Sequence, residues 1–178
     1  DERLTKITEL IKPKKTIPTT FEFTDIAGIV KGASKGEGLG NKFLANIREV
    51  DAIVHVVRAF DDENVMREQG RESDFVDPIA DIDTINLELI LADLESVNKR
   101  YVRVEKIART QKDKDAILEF KVLEKIKPVL EAGKSARTVD FEEDELKVVK
   151  SLFLLTTKPV LYVANVSEDE VGEPDNID

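Results

Sequence analysis

Cysteine is absent from the 178 residues, and histidine occurs once, at His55. The first absence excludes disulfides, cysteine–zinc sites and thiol chemistry within the chain, and the second excludes a histidine-rich metal site. Long hydrophobic runs are missing too. AIVHVV is among the longest, far short of a bilayer span, so no transmembrane helix and no membrane partner are expected. There is no basic start followed by an apolar stretch, hence no secretory signal, and this fits a cytoplasmic protein. Positive charge is scarce overall: the net charge is −10, which does not describe a basic nucleic-acid binder.

The charge is unevenly placed. Between Asn98 and Lys114 stand seven basic residues (Lys99, Arg100, Arg103, Lys106, Arg109, Lys112, Lys114) against two acids (Glu105, Asp113), so this segment carries +5 and the remainder −15. Hydrophobic residues make up 41% and charged residues 36%, a globular composition with a heavily charged surface. The length suits one domain with an elaboration. The chain opens inside an amphipathic helical pattern (Leu4, Ile7, Leu10, Ile11) and stops in an acidic loop just after a strand, so it is expected to be a segment of a longer protein.

Along the chain, Pro13 ends the first helix, and Phe21, Phe23 and Ile26 mark a short strand from about Pro18 to Thr24. A loop with Gly28, Gly32, Gly36, Gly38 and Gly40 follows, then a helix over Leu39 to Val50 with Leu39, Phe43, Ile47 and Val50 on one face. AIVHVVRAF reads as a second strand, apolar on both faces like the interior of a parallel sheet, and Asp61 to Asp77 reads as an acidic loop. PVLYVAN is a third buried strand. Between them, Leu87, Ile90, Leu94, Val97, Tyr101, Val104 and Ala108 step by 3, 4, 3, 4, 3 and 4, an apolar seam at heptad spacing. The connector Thr110 to Asp113 is short enough to force antiparallel neighbours. A second helix then runs to about Ala132 with Phe120, Leu123, Ile126 and Leu130 inward; Pro128 is expected to kink or end it and Gly133 to stop it. A last helix over Glu142 to Leu155 leads back to the sheet. The order of elements predicts an α/β fold with parallel strands.

Two motifs carry chemistry. Asp25-Ile26-Ala27-Gly28 closes a strand and opens into the glycine-rich loop, where open α/β sheets bind ligands. In P-loop nucleotidases such an Asp holds Mg²⁺, directly or through water, and the Gly N–H meets the γ-phosphate; an Asp capping a turn fits the same four residues. Asn165-Val166-Ser167-Glu168 follows the third strand, where GTPases place N/T-K-x-D. With Glu in place of Asp and Val in place of Lys, the paired N–H groups of guanine are no longer met at the right distance, and the preference for guanine is lost. Taken alone, this is also an ordinary acidic loop.

Together, TTFEFTDIAGIVKGASKGEGLGNKFLANIREVDAI, ADIDTINLELILADLESVNKR and VLYVANVSE resemble the YchF subfamily of Obg-like ATPases. The resemblance covers nearly the whole chain. It implies a P-loop nucleotidase core of the translation-factor class (a G-domain) with an inserted antiparallel coiled-coil arm. It also implies hydrolysis of ATP in preference to GTP with Mg²⁺, and association with ribosomes or RNA. On this reading Asp25 and Gly28 match DxxG, Asn165 and Glu168 match NxxE, and Asp25 contacts Mg²⁺ through water. Ile29 stands where many small GTPases carry the water-orienting Gln, and an aliphatic side chain cannot orient water, so no catalytic residue is assigned. No GxxxxGK[ST] occurs in the sequence, so the phosphate cradle and its Lys are missing and the segment alone is expected to be inactive.

Three parts are expected: residues 1–80 and 141–178 as the two portions of the G-domain, and 81–140 as the helical arm. The basic stretch falls at the tip of the arm, and Arg100, Arg103, Lys106 and Arg109 are candidate contacts for RNA or the ribosome, although a solvated flank shows the same pattern. Lys31, Lys35 and Lys42 around the glycine-rich loop fit either phosphate contact or solvation. His55, between two valines, is expected to be a core histidine rather than a proton shuttle. Two other readings stay open: a non-catalytic ribosome- or RNA-binding module, and an Obg-related GTPase that prefers GTP.

Overall fold

The computed structural model of the chain describes residues 2–26, 39–61, 76–111 and 113–171. Most of the glycine-rich loop, with Gly28, Ile29, Lys31 and Lys35, lies outside the described residues, as do most of the acidic loop, Lys112, the side chain of Lys42 and the last seven residues. Helix α1 is Glu2–Ile11 and α2 is Leu39–Glu49; strand β1 is Ile53–Arg58; α3 is Pro78–Gln111 and α4 is Lys114–Glu131; α5 is Glu143–Ser151; strand β2 is Val160–Asn165.

The two strands pair in parallel, Ile53 opposite Val160 through Arg58 opposite Asn165, so the parallel α/β expectation holds. The strand expected near Pro18 to Thr24 does not form: Phe21 and Phe23 stand 84% and 81% exposed. A strand needs a neighbour for its N–H and C=O groups, and among the described residues the sheet consists of β1 and β2 alone. For the same reason β1 and β2 are not buried on both faces. Val54, Val56, Leu161 and Val163 share an exposed face, while Val57 is buried and Ile53 and His55 are half-buried on the other.

Helix α3 begins as its sequence dictates. Asp77 accepts the Ala80 N–H at 3.0 Å, and Pro78 occupies the first helical position, where no N–H is needed. At 34 residues it runs about 51 Å. Asp113 caps α4 through the Ala116 N–H at 2.7 Å. The two helices fold back on each other as a hairpin. Arg100 pairs with Glu119, and the rings of Tyr101 and Phe120 lie 5.0 Å apart. The expected seam is the packed one: Ile90, Val97 and Val104 are buried against Val122, Leu123, Ile126 and Leu130, with Leu94 and Tyr101 partly covered. Leu87, at its start, stays 49% exposed.

Pro128 does not stop α4 at once: it lies inside the helix, which runs on for three more residues to Glu131, so the end falls within one turn of the proline that removes an i→i−4 bond. Gly133 ends the helix at φ 71°; its N–H reaches the Leu130 carbonyl and the Lys134 N–H reaches that of Val129, both at 3.0 Å, a glycine-dependent stop.

Helix α5 is shorter than its sequence pattern suggests, ending at Ser151 rather than Leu155. The chain turns inward there, with Phe153 at φ 50°, and Leu154, Leu155 and Thr156 are buried. What draws them in is the carboxylate of Asp93, itself 0% exposed. Its Oδ1 accepts the Leu155 N–H at 2.9 Å, and its Oδ2 accepts the Thr156 N–H and hydroxyl, both at 2.8 Å. Burial pushes the Asp93 carboxyl above its ordinary value, against the pull of these hydrogen bonds and of Arg48.

A second core lies behind this turn, formed by Leu44, Ile47, Leu89, Ala92 and Leu155, with Ile26, Phe43, Ile53 and Ile85 packed on it. Helix α3 is therefore buried on two faces, one toward α4 and one toward α2 and the start of β1.

A third anchor ties α5 to α4. Glu145, fully buried, meets Lys125 at 2.6 Å and Lys121 at 3.0 Å and accepts the Glu142 N–H at 2.9 Å. Lys125 and these partners hold its carboxyl down at about 2.

Two predictions follow from the buried carboxylates. Asp93→Ala strands two buried N–H groups and a hydroxyl, and is expected to cost at least about 3 kcal/mol in urea denaturation, since each of the three unsatisfied groups costs about 1–3 kcal/mol. For Glu145 the folded pKa lies below the unfolded one, so the stability it contributes is full above about pH 5 and is lost as pH falls towards 2. Glu145→Gln should therefore be less stable than the parent chain at pH 7, and the gap between their urea midpoints should close progressively as the pH is lowered to 2.

Candidate functional site

Strand β2 ends at Asn165, whose carbonyl accepts the Ala59 N–H at 2.8 Å. This bond prolongs the parallel ladder by one step and fixes the backbone from which the next loop departs. Ser167 and Glu170 then lock a 3-10 turn over Glu168–Glu170: Glu170 Oε2 lies 2.7 Å from Ser167 Oγ and accepts the Ser167 N–H at 3.2 Å. Asn165 and Glu168 are both exposed on this rigid exit from the sheet. They stand at the carboxyl edge of a parallel strand, where α/β folds present binding groups.

Asp25 is exposed, and Ile26 beside it packs on the second core. No hydrogen bond or ion pair joins Asp25 to Asn165 or Glu168 among the described residues, and Gly28 of the first motif lies outside them. Asp25 offers a single carboxylate, and no group of three or more His, Cys, Asp or Glu able to hold a metal occurs among the described residues. That donor set suits Mg²⁺ held mainly by water and phosphate oxygens, as this ion prefers, and does not suit a cage built by this chain alone.

His55 is half-buried, with its ring 5.6 Å from that of Tyr162; burial lowers its pKa, which favours the neutral ring. The Tyr162 hydroxyl receives the Asn86 side-chain N–H at 3.3 Å. His55 thus takes part in covering the sheet with α3, in line with a structural histidine.

The basic residues of the arm divide into two kinds. Arg100 is tied across the hairpin to Glu119 and is partly covered, so it belongs to the hairpin's own structure. Lys99 and Arg109 pair with Glu95 at 2.5 Å and Glu105 at 2.7 Å along α3, one turn away on the same face. Arg103 and Lys106 are exposed and enter no ion pair among the described residues. With Lys114, exposed at the start of α4 and likewise outside the ion pairs of the described residues, they are the segment's cations open to a polyanion.

Three groups central to this architecture carried little sequence signal. Arg48, near the end of α2, donates to the Phe153 carbonyl at 2.8 Å, to Ser96 Oγ at 3.2 Å and toward Asp93 Oδ1 at 3.4 Å. Lys158 donates to the Arg48 and Val50 carbonyls at 3.1 and 2.6 Å, capping the α2 C-terminus. Asp93 receives from both sides. A hint of it was available: in LELILADL the apolar residues surround the helix, and a carboxylate set in such a run must find buried partners.

Comparison with known proteins places this geometry. Residues 3–165 match the family described as 50S ribosome-binding GTPase. The chain belongs to that family of G-domain proteins, with their parallel sheet and flanking helices. Within it, the chain belongs to the YchF group: it is 66% identical over 174 residues to the Ribosome-binding ATPase YchF of Bacillus subtilis, covering 98% of this chain and 46% of the relative. It is 52% identical to the protein of the same name from Pasteurella multocida, covering 95% and 45%. The solved structure of the Schizosaccharomyces pombe YchF GTPase superposes with a TM-score of 0.70 at 42% identity, covering 96% of this chain and 45% of that one. The chain spans about half the length of the curated relatives it matches.

The split among the basic residues has a measurable consequence. Arg100→Glu sets two carboxylates against each other inside the hairpin and should lower the melting temperature by several degrees, at about 2–4 °C per kcal/mol for a chain of this size. The pair Arg103→Glu and Lys106→Glu should leave it within about 2 °C, because surface substitutions stay within about 0.5 kcal/mol. Thermal melts followed by circular dichroism distinguish the two.

Proposed function

We propose that a full-length protein carrying this sequence is a cytoplasmic ATPase that prefers ATP to GTP, hydrolyses it to ADP and phosphate, and acts as a ribosome-associated switch. The similarity to the ribosome-binding ATPases of Bacillus subtilis and Pasteurella multocida supports an ATPase that meets the ribosome. The observation that carries the nucleotide preference is the exit of β2: a backbone fixed at Asn165 and an exposed Glu168 where a guanine-reading loop carries Asp. The longer carboxylate cannot meet both guanine N–H groups from that anchor, and Val166 removes the Lys stem that would pack on the base. Asn165 and Glu168 are assigned to the base, and Asp25 and Gly28 to the phosphate side, with Asp25 reaching a water of Mg²⁺. Bound Mg²⁺ supplies charge neutralisation between the phosphate oxygens. Ile29 orients no water, so the positioning group for hydrolysis lies elsewhere.

The arm supports the ribosomal half. Helices α3 and α4 form an antiparallel coiled-coil arm whose outer part presents Arg103 and Lys106 to solvent, with Arg109 close by. On a chain of net charge −10, this local positive surface is suited to a phosphate backbone, because counterion release depends on local charge rather than on the total. The reading of a non-catalytic RNA- or ribosome-binding module shares this surface and differs only in making hydrolysis incidental.

The test is a change of base preference. In the full-length protein, Glu168→Asp with Val166→Lys should shift the ATP/GTP affinity ratio towards GTP, each restored hydrogen bond to the carboxylate being worth about 1.5–3 kcal/mol. Titration with both nucleotides reads the ratio. An unchanged ratio removes Glu168 from the specificity argument and leaves the backbone around Asn165 as the reader of the base.

A further inference from the structure

The turn between α5 and β2 gathers more of the molecule than any other segment. Asp93 of α3 holds its Leu155 and Thr156 amides. Thr156 Oγ1 donates to Asp93 and accepts the Ala136 N–H at 3.1 Å, and the Thr156 carbonyl accepts Arg137 Nε at 3.1 Å, so the chain returning from α4 is fastened to the same residue. Arg48 brings in α2, the helix that follows the DxxG motif in sequence, through Asp93, Ser96 and the Phe153 carbonyl. Lys158 returns the contact to the α2 C-terminus. Four residues beyond Thr156, β2 begins, and it ends at the base loop.

We infer that Asp93 is a positioning residue: by fastening the start of β2 to the arm helix, it makes the geometry of the base loop at Asn165–Glu168 and the pose of the arm one mechanical unit, with Arg48 extending that unit to α2. The carboxylate is fully buried and all its hydrogen bonds run to this turn and to Arg48. A displacement of β2 relative to α3 therefore either moves both or breaks the cluster. Packed interiors respond to such strain by discrete shifts rather than by gradual bending. Nucleotide in the base loop and a ribosome on the arm would then influence each other's affinity, and by linkage each changes the other by the same factor.

This inference rests on the proposed ATPase-switch reading, and the experiment separates the two. In the full-length protein, ATP affinity is measured by titration of a fluorescent, non-hydrolysable ATP analogue with and without ribosomes. The proteins compared are the wild type, Thr156→Val, which removes the hydroxyl's bond to Asp93 and its bond from the Ala136 N–H while leaving both backbone amides on Asp93 in place, and Arg48→Gln, which leaves the Asp93–turn bonds untouched. Circular dichroism confirms that each is folded, and ribosome co-sedimentation without nucleotide reports the arm's own binding. The expected result is a wild-type factor in the range of about 5–150, typical of coupled sites, that falls towards one in Thr156→Val and is kept in Arg48→Gln, while nucleotide-free ribosome binding is kept in both. A merely structural role would weaken the affinities and leave the factor intact. A wild-type factor above one that persists in folded Thr156→Val overturns the positioning role alone. A wild-type factor of one overturns the switch reading and this inference together.

Discussion

Removing the carboxylate of Asp93 from water is the constraint around which the described structure is arranged. A buried, ionised group is tolerated only where its oxygens are fully hydrogen-bonded. Here the partners are two backbone amides and a hydroxyl from one turn, with a guanidinium beside them. Meeting that demand sets the length of α5, because Leu155 and Thr156 cannot both continue a helix and donate to α3. It also sets the entry of β2, and hence the register that brings Asn165 opposite Arg58. Glu145 is held differently: its Oε2 takes the Lys125 ammonium and the Glu142 N–H, while its Oε1 meets only the charge of Lys121. The two carboxylates fasten α3 and α4 to the chain that follows the hairpin, and the apolar seam between Ile90 and Val104 holds the hairpin's length.

The helical hairpin was legible in the sequence because its signals are local. Heptad spacing and a glycine after the second helix each act within a turn or two, and both fell where expected, while the Asp caps before each helix were found only in the structure. The strand around Phe21 and Phe23 was misjudged because alternation describes a strand's two faces and says nothing of whether a neighbour is there to pair with it. The buried strands were misjudged for a related reason: AIVHVV and VLYVAN are apolar enough for the middle of a sheet, yet the described residues cover one face only. Helix α5 was read too long because Leu152, Leu154 and Leu155 continue an apolar pattern whose true partner is a carboxylate sixty-two residues away. Tertiary hydrogen bonds of that reach leave no periodic trace.

The candidate site was legible in kind and only partly in place. NxxE after a strand located the loop proposed to read the base, and the Ala59–Asn165 bond and the Ser167–Glu170 contacts hold its backbone. The charge count of the arm told that a positive surface exists there, but not how it is divided. Arg100 and Arg103 are three residues apart on one helix, yet the first faces Glu119 and the second faces water, because the partner helix covers only one side. A count of cations therefore overstates what is free to meet a phosphate backbone, and Arg103 and Lys106 carry the larger share of that capacity.

These features bear on what kind of work the chain does. Catalysis of phosphoryl transfer requires groups around the γ-phosphate: a cradle of backbone amides, a Lys, a metal-binding hydroxyl and a means of orienting water. The sequence holds no GxxxxGK[ST], and at Ile29 an aliphatic side chain stands at the water-orienting position. What it does hold is the acidic loop proposed to read the base, the carboxylate proposed to face a hydrated metal, and a long helical hairpin joined to the start of β2 through a buried carboxylate cluster. Recognition and transmission need stiffness between distant points, and a buried carboxylate with every lone pair engaged provides it at the place where the arm, α2 and the base strand meet. On the proposed reading, that stiffness is what would let the nucleotide at the β2 exit and a partner on the arm, some tens of ångströms apart along α3, influence each other, with the chemistry itself resting on groups beyond these motifs.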